Sequence, residues 1–173
     1  MDQENNKNRL KQQIQSLRSG NRTAILDTLK ELRSEGDVSV LPELFMLLLV
    51  QEDEDILAGI SSLLNDLKDK ESAEILAEAI ANPEYQKIQT ILVAACWQNG
   101  LSYGKYIDTF VDVIVSGDYS AAIEAFTVIE EAVGELEAKE RLQLASSLKS
   151  KLRKVKDQLK PLFVELVKLI ESY

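Results

Sequence analysis

The sequence predicts an all-α fold, an α-solenoid of about four stacked helical hairpins with one further helix at each end. Three observations carry this prediction. Apolar residues recur at three-and-four spacing over long windows, the mark of helices with one buried face. Only three prolines and seven glycines interrupt the 173 residues, and no run alternates as a strand would. Ile25, Ile56, Ile88 and Ile123, taken as equivalent, lie 31, 32 and 35 residues apart. Two helices per unit at so regular a period mean that each unit buries its face only by stacking on a neighbour.

Asp2 to Arg18 is polar, with Leu10, Ile14 and Leu17 as one thin apolar stripe, enough for an N-terminal capping helix over 2–18 that frays at its start. The first hairpin, 20–51, follows Ser19-Gly20-Asn21. Ile25, Leu26, Leu29 and Leu32 mark one helix, Gly36-Asp37 the turn, and Pro42 opens a second with Leu44, Phe45, Leu48 and Leu49. The second hairpin, 52–82, begins in Glu52-Asp53-Glu54-Asp55, carboxylates suited to the positive end of a helix dipole. Its stripes are Ile56, Leu57, Ile60, Leu63, Leu64 and Leu67, then Ile75, Leu76, Ala79 and Ile80.

In the third hairpin, 83–117, Pro83 occupies a first turn, where its missing N–H costs nothing. Ile88, Ile91, Leu92 and Ala95 follow, Asn99-Gly100 ends that helix, and Ile107, Phe110, Val111 and Ile114 run to Gly117-Asp118. The fourth, 118–152, has Ile123, Phe126, Ile129 and Val133, a break near Gly134, then Leu142, Ala145, Leu148 and Leu152. Beyond it Leu152, Val155, Leu159, Leu162, Leu166 and Leu169 keep the seam spacing of a coiled coil, interrupted at Pro161. A last helix, 161–171, is expected to fold back as a C-terminal cap; the functional alternative is a dimerising helix. The whole chain, 1–173, reads as a single helical-repeat domain.

The units, a first helix with a broad apolar stripe, a short turn and a second helix opening in one case as Leu41-Pro42-Glu43-Leu44, resemble HEAT repeats from Gly20 to Leu152. The usual Asp and Arg of the turn are not present in each unit, while the tetratricopeptide pattern of Trp, Leu-Gly and Tyr does not fit. The resemblance implies a right-handed, armadillo-type solenoid whose second helices line a concave face. It also implies two function classes. One is a non-enzymatic scaffold that binds a protein or peptide. The other is an enzyme on the same scaffold, as in the alkylpurine DNA glycosylases or the bilin lyase-like proteins.

Composition narrows these classes. With no histidine, Ser-His and Cys-His pairs, HExxH zinc sites and imidazole metal ligands are all absent. The one cysteine, Cys96, sits on an apolar stripe and forms neither a CxxC motif nor an intramolecular disulfide. Gly100-Leu101-Ser102-Tyr103-Gly104 is no nucleophile elbow, since no strand precedes it and no histidine exists. Walker A, GxGxxG and EF-hand patterns are missing too, so no catalytic residue, cofactor or metal is expected and the chain reads as no enzyme. The start is polar, and the longest apolar run, Leu44 to Val50, is too short to span a bilayer, so a cytoplasmic location is expected.

Charge divides unevenly. Residues 20–138 hold 7 Lys and Arg against 23 Asp and Glu, while residues 139–173 hold 9 against 4. An acidic body has the wrong sign for a nucleic-acid track. The basic run Lys149, Lys151, Arg153, Lys154, Lys156 and Lys160 reads as a solvated face offsetting that body, rather than a contact to phosphate or an anionic membrane. Glu43, Glu74 and Asp108 fall at matching places in three second helices, with Glu78 and Asp112 one turn on; Gln143 and Ser147 take these places in the fourth unit. If second helices line a groove, these carboxylates form a ladder for a basic protein or peptide segment. Trp97, Tyr103 and Tyr106 cluster in sequence around the third turn as candidate anchors, with Trp97 expected to fill space between units and Tyr103 to be exposed.

Overall fold

A computed structural model describes residues 2–173. Among these the chain forms ten α-helices and no strand. They are α1 (Asp2–Leu17), α2 (Arg22–Glu35), α3 (Leu41–Val50), α4 (Glu54–Asn65), α5 (Glu71–Ala81), α6 (Gln89–Asn99), α7 (Ile107–Ser116), α8 (Tyr119–Ala132), α9 (Ala138–Lys151) and α10 (Lys160–Ser172). No helix among the described residues is long and apolar enough to cross a membrane. Two compact units result, one ending at Ser72 and the other running from Ala73 to Tyr173.

In the first unit α1 packs on α2 and α3, and α4 on α2 and α3. Gly20, in the left-handed region at φ 69°, turns the chain out of α1. Asn21 then caps α2, its side chain accepting from the Ala24 N–H at 3.1 Å, and Asp53 caps α4 through the Asp55 and Ile56 amides at 3.0 and 3.1 Å. Ile25, Leu41, Leu44, Phe45, Ile56 and Ile60 meet in the core. Complete burial of a side chain such as Phe45 contributes about 1.5–3 kcal/mol. Arg22 donates to Asp53 at 2.8 Å and also pairs with Asp55, so the acidic run is a helix cap clamped by a cation on the preceding first helix. Arg22 first, and then the Ile56 amide, hold the Asp53 carboxyl below the usual carboxylate range.

In the second unit α8 packs on α6, α7 and α10, and α10 also on α9. Pro83 does not open α6. Residues Pro83–Ile88 form a 3-10 stretch, with Asn82 accepting from the Glu84 N–H at 3.0 Å, and the α-helix begins at Gln89. The Gln89 side chain donates to the Ile80 carbonyl at 3.0 Å, tying this entry to the end of α5.

The stripes of the fourth hairpin also differ from expectation. Ile123 is 41% exposed, and Ala121, Ala122 and Ala125 are buried in its place. Asp118 fixes this register by accepting from the Ala121 N–H at 2.7 Å, and alanines let α8 approach its three neighbours closely. In α9 Leu142 is 73% exposed, while Leu144, Ala145 and Leu148 turn inward.

The coiled-coil spacing does not become one helix. After α9 the chain makes 3-10 turns at Leu152–Lys154 and Asp157–Leu159, and α10 folds back to bury Phe163, Leu166 and Ile170 against its own chain. Lys156, between those turns, donates to the Ser116 and Gly117 carbonyls at 2.9 and 2.7 Å. It thereby satisfies acceptors that the end of α7 leaves open.

Candidate functional site

Two helices of the second unit, α5 and α7, carry exposed carboxylates. On α5 the apolar positions Ala73, Leu76, Ala77 and Ile80 turn inward, which leaves Glu74 and Glu78 exposed one turn apart on the other side. On α7 Ile107, Phe110, Val111 and Ile114 are buried, and Asp108 and Asp112 are exposed by the same periodicity. Tyr106, in the turn before α7, joins the two helices. Desolvation first, and then the charges of Glu74 and Glu78, push its phenol above the ordinary value, so its oxygen lies within their field.

Four of the five ladder carboxylates therefore belong to this unit. One is already neutralised: Asp112 accepts from Lys151 of α9 at 2.8 Å. Glu74, Glu78 and Asp108 make no ion pair among the described residues. Beyond Asp108, between α7 and α9, a cavity of about 250 Å³ is lined by Lys105, Ile107, Asp108, Leu136, Glu140, Gln143, Leu144 and Ser147. Gln143 and Ser147 thus share a hollow with Asp108. The fifth carboxylate, Glu43 of the first unit, is held by Arg18, whose Nε donates to it at 2.8 Å. Its charge is answered within the chain.

The three aromatic candidates do not form one cluster. Tyr103 is buried, correcting the expected exposure; its ring meets Phe110 edge-on with centroids 5.6 Å apart. Its hydroxyl accepts from the Asn99 amide nitrogen at 3.0 Å, and the Asn99 carbonyl oxygen accepts from the Leu101 N–H at 2.9 Å. Gly100, in the left-handed region at φ 66°, ends α6 and sends the loop back over this core. Trp97 is 36% exposed rather than enclosed between units, and its indole N–H donates to Glu124 of α8 at 2.6 Å. Only Tyr106 stays with the carboxylates.

Several sequence features become structural devices. The Cys96 thiol is buried and donates to the Leu92 carbonyl, and burial pushes its pKa up to about 12, so it is no nucleophile near neutral pH. Ser102 and the Gly104 N–H both donate to Glu135, pinning the α6–α7 loop to the end of α8. Of the basic run, Lys149 pairs with Glu171, Lys151 with Asp112 and Lys160 with Asp157, while Lys156 caps α7. Arg153 and Lys154 have no ion-pair partner among the described residues.

Sequence reading missed the clamps Arg18–Glu43, Arg22–Asp53 and Lys151–Asp112. For Arg22 and Asp53 a signal exists, because they stand 31 residues apart, the same spacing as Ile25 and Ile56. Among the described residues no group of three or more Cys, Asp or Glu side chains is placed to hold a metal ion. No family model matches the chain, and no curated protein or solved structure matches it.

Proposed function

We propose that this chain is a non-enzymatic binding or scaffold module, a HEAT-like solenoid that recognises a basic protein or peptide segment on the α5/α7 face. The observation that carries the reading is the set of three exposed carboxylates without an ion pair, Glu74 and Glu78 near the Tyr106 phenol and Asp108 in the first turn of α7. Nearby Asp112 already holds a lysine of the same chain, an internal example of the contact proposed for a partner. The stacked-hairpin reading draws support from bonds that join consecutive hairpins about one repeat apart. Arg22 to Asp53, Trp97 to Glu124 and Ser102 to Glu135 span 31, 27 and 33 residues.

The test is affinity enrichment at low and moderate salt, with wild type beside Glu74→Lys, Glu78→Lys and Asp108→Lys combined. Exposed ion pairs contribute about 0.2–1 kcal/mol each, so losing three of them predicts a loss of affinity of about 3- to 150-fold. A basic partner should bind wild type, weaken as salt screens the face, and be lost from the variant. Partners retained equally by both proteins, or unaffected by salt, would overturn the assignment to this face.

A further inference from the structure

A second surface of the same unit lies on α6 and α8 and does not depend on the carboxylates of α5 and α7. Trp97 has its only polar atom bonded to Glu124, so the exposed remainder of its indole is aromatic carbon held in a fixed orientation. On α8, Tyr119 and Ile123 are 54% and 41% exposed, one turn apart, and Ile123 adjoins Glu124 in sequence. The pre-positioned tryptophan is the anchor, and the helix that holds its partner Glu124 also exposes a tyrosine and an aliphatic side chain, residue types that interface centres use.

Charge decides what fits there. Neither α6 nor α8 contains a basic residue, and α8 carries Glu124, Glu130 and Glu131 behind its cap Asp118. An aromatic face beside a carboxylate attracts a cation that also has apolar or planar surface to stack, which describes guanidinium better than ammonium. A purely apolar segment would leave the acidic surround unanswered, and an acidic one would be repelled by it.

We propose that the α6/α8 face docks an apolar segment of a partner protein that carries arginine, with the guanidinium lying on Trp97 beside Glu124. Trp97 is the only tryptophan, so tryptophan emission reports on its surroundings. The probe is an acetylated, amidated Leu-Arg-Leu-Arg-Leu peptide, with counterparts in which citrulline or lysine replaces arginine. The arginine peptide should change Trp97 emission saturably, with citrulline about fivefold weaker and lysine between them. Glu124→Gln keeps an acceptor for the indole N–H while removing the charge, and should weaken the arginine peptide to a similar degree. Glu74→Gln, Glu78→Gln and Asp108→Asn combined should leave the response unchanged, so this surface and the α5/α7 reading stand or fall separately. Equal binding of arginine and citrulline peptides, no saturable response, or loss of the response in the Glu74/Glu78/Asp108 variant would each overturn the proposal. The citrulline comparison leaves the protein unaltered, so an unfolded variant does not blur the result.

Discussion

Replacing Tyr103 with phenylalanine isolates one buried hydroxyl. The ring and its edge-on contact with Phe110 stay, while the buried Asn99 amide loses the hydroxyl it donates to at 3.0 Å. Losing this buried hydrogen bond costs about 1–3 kcal/mol. For a chain of this length that lowers the melting midpoint by about 3–8 °C. Urea unfolding followed by Trp97 fluorescence reads the second unit directly, and the midpoint should fall with the slope unchanged.

The difference also depends on pH. Burial, and then the Cys96 side chain, raise the Tyr103 pKa far above its ordinary 10. Below pH 10 both states are neutral and the full contribution is present. Above it the unfolded tyrosine ionises while the folded one stays protonated, so wild type loses about 1.4 kcal/mol per pH unit from this group. Tyr103→Phe lacks that loss, so its deficit should shrink above pH 10. A variant as stable as wild type at pH 7, or a deficit that grows with alkalinity, would refute the account.

Cys96 should behave in parallel. Its folded pKa of about 12 exceeds the ordinary 9, so its contribution is complete below pH 9 and declines until about 12. In the native protein at pH 8 a thiol-specific disulfide reagent should react with it only as fast as the chain opens; immediate reaction would contradict its burial. Ser72, wholly buried with no partner for its hydroxyl, gives the opposite sign. Ser72→Ala removes a desolvated polar group and should raise stability by up to about 1 kcal/mol, seen as a higher thermal midpoint; a fall would disprove the reasoning.

Helix positions were legible because their signals are local. Asn21, Asp53 and Asp118 cap the next helix, Pro42 and Pro161 lie in first turns, and Gly100 closes α6. Which side of a helix faces the core was legible only where polar residues contrast with apolar ones. On α5 and α7 the carboxylates mark the outer side, and Glu74, Glu78, Asp108 and Asp112 are exposed as the pattern demands. On α6, which has no charged residue, nothing in the pattern distinguishes the side of Trp97 from that of Cys96. On α8 small and large apolar residues stand on both sides, and counting from Ile88 selected Ile123 where the cap places Ala122.

The sequence by itself determined that this chain is helical, where most helices begin, α6 excepted, and which faces of α5 and α7 are acidic, since these follow from backbone capping and the helical period. Only tertiary structure decided which carboxylates remain open. Arg18 closes Glu43 and Lys151 closes Asp112 across 25 and 39 residues, and Tyr103 turns inward while Trp97 stays out. An ion pair or a buried ring depends on which helices become neighbours, and that depends on the packing of many side chains at once rather than on any local pattern.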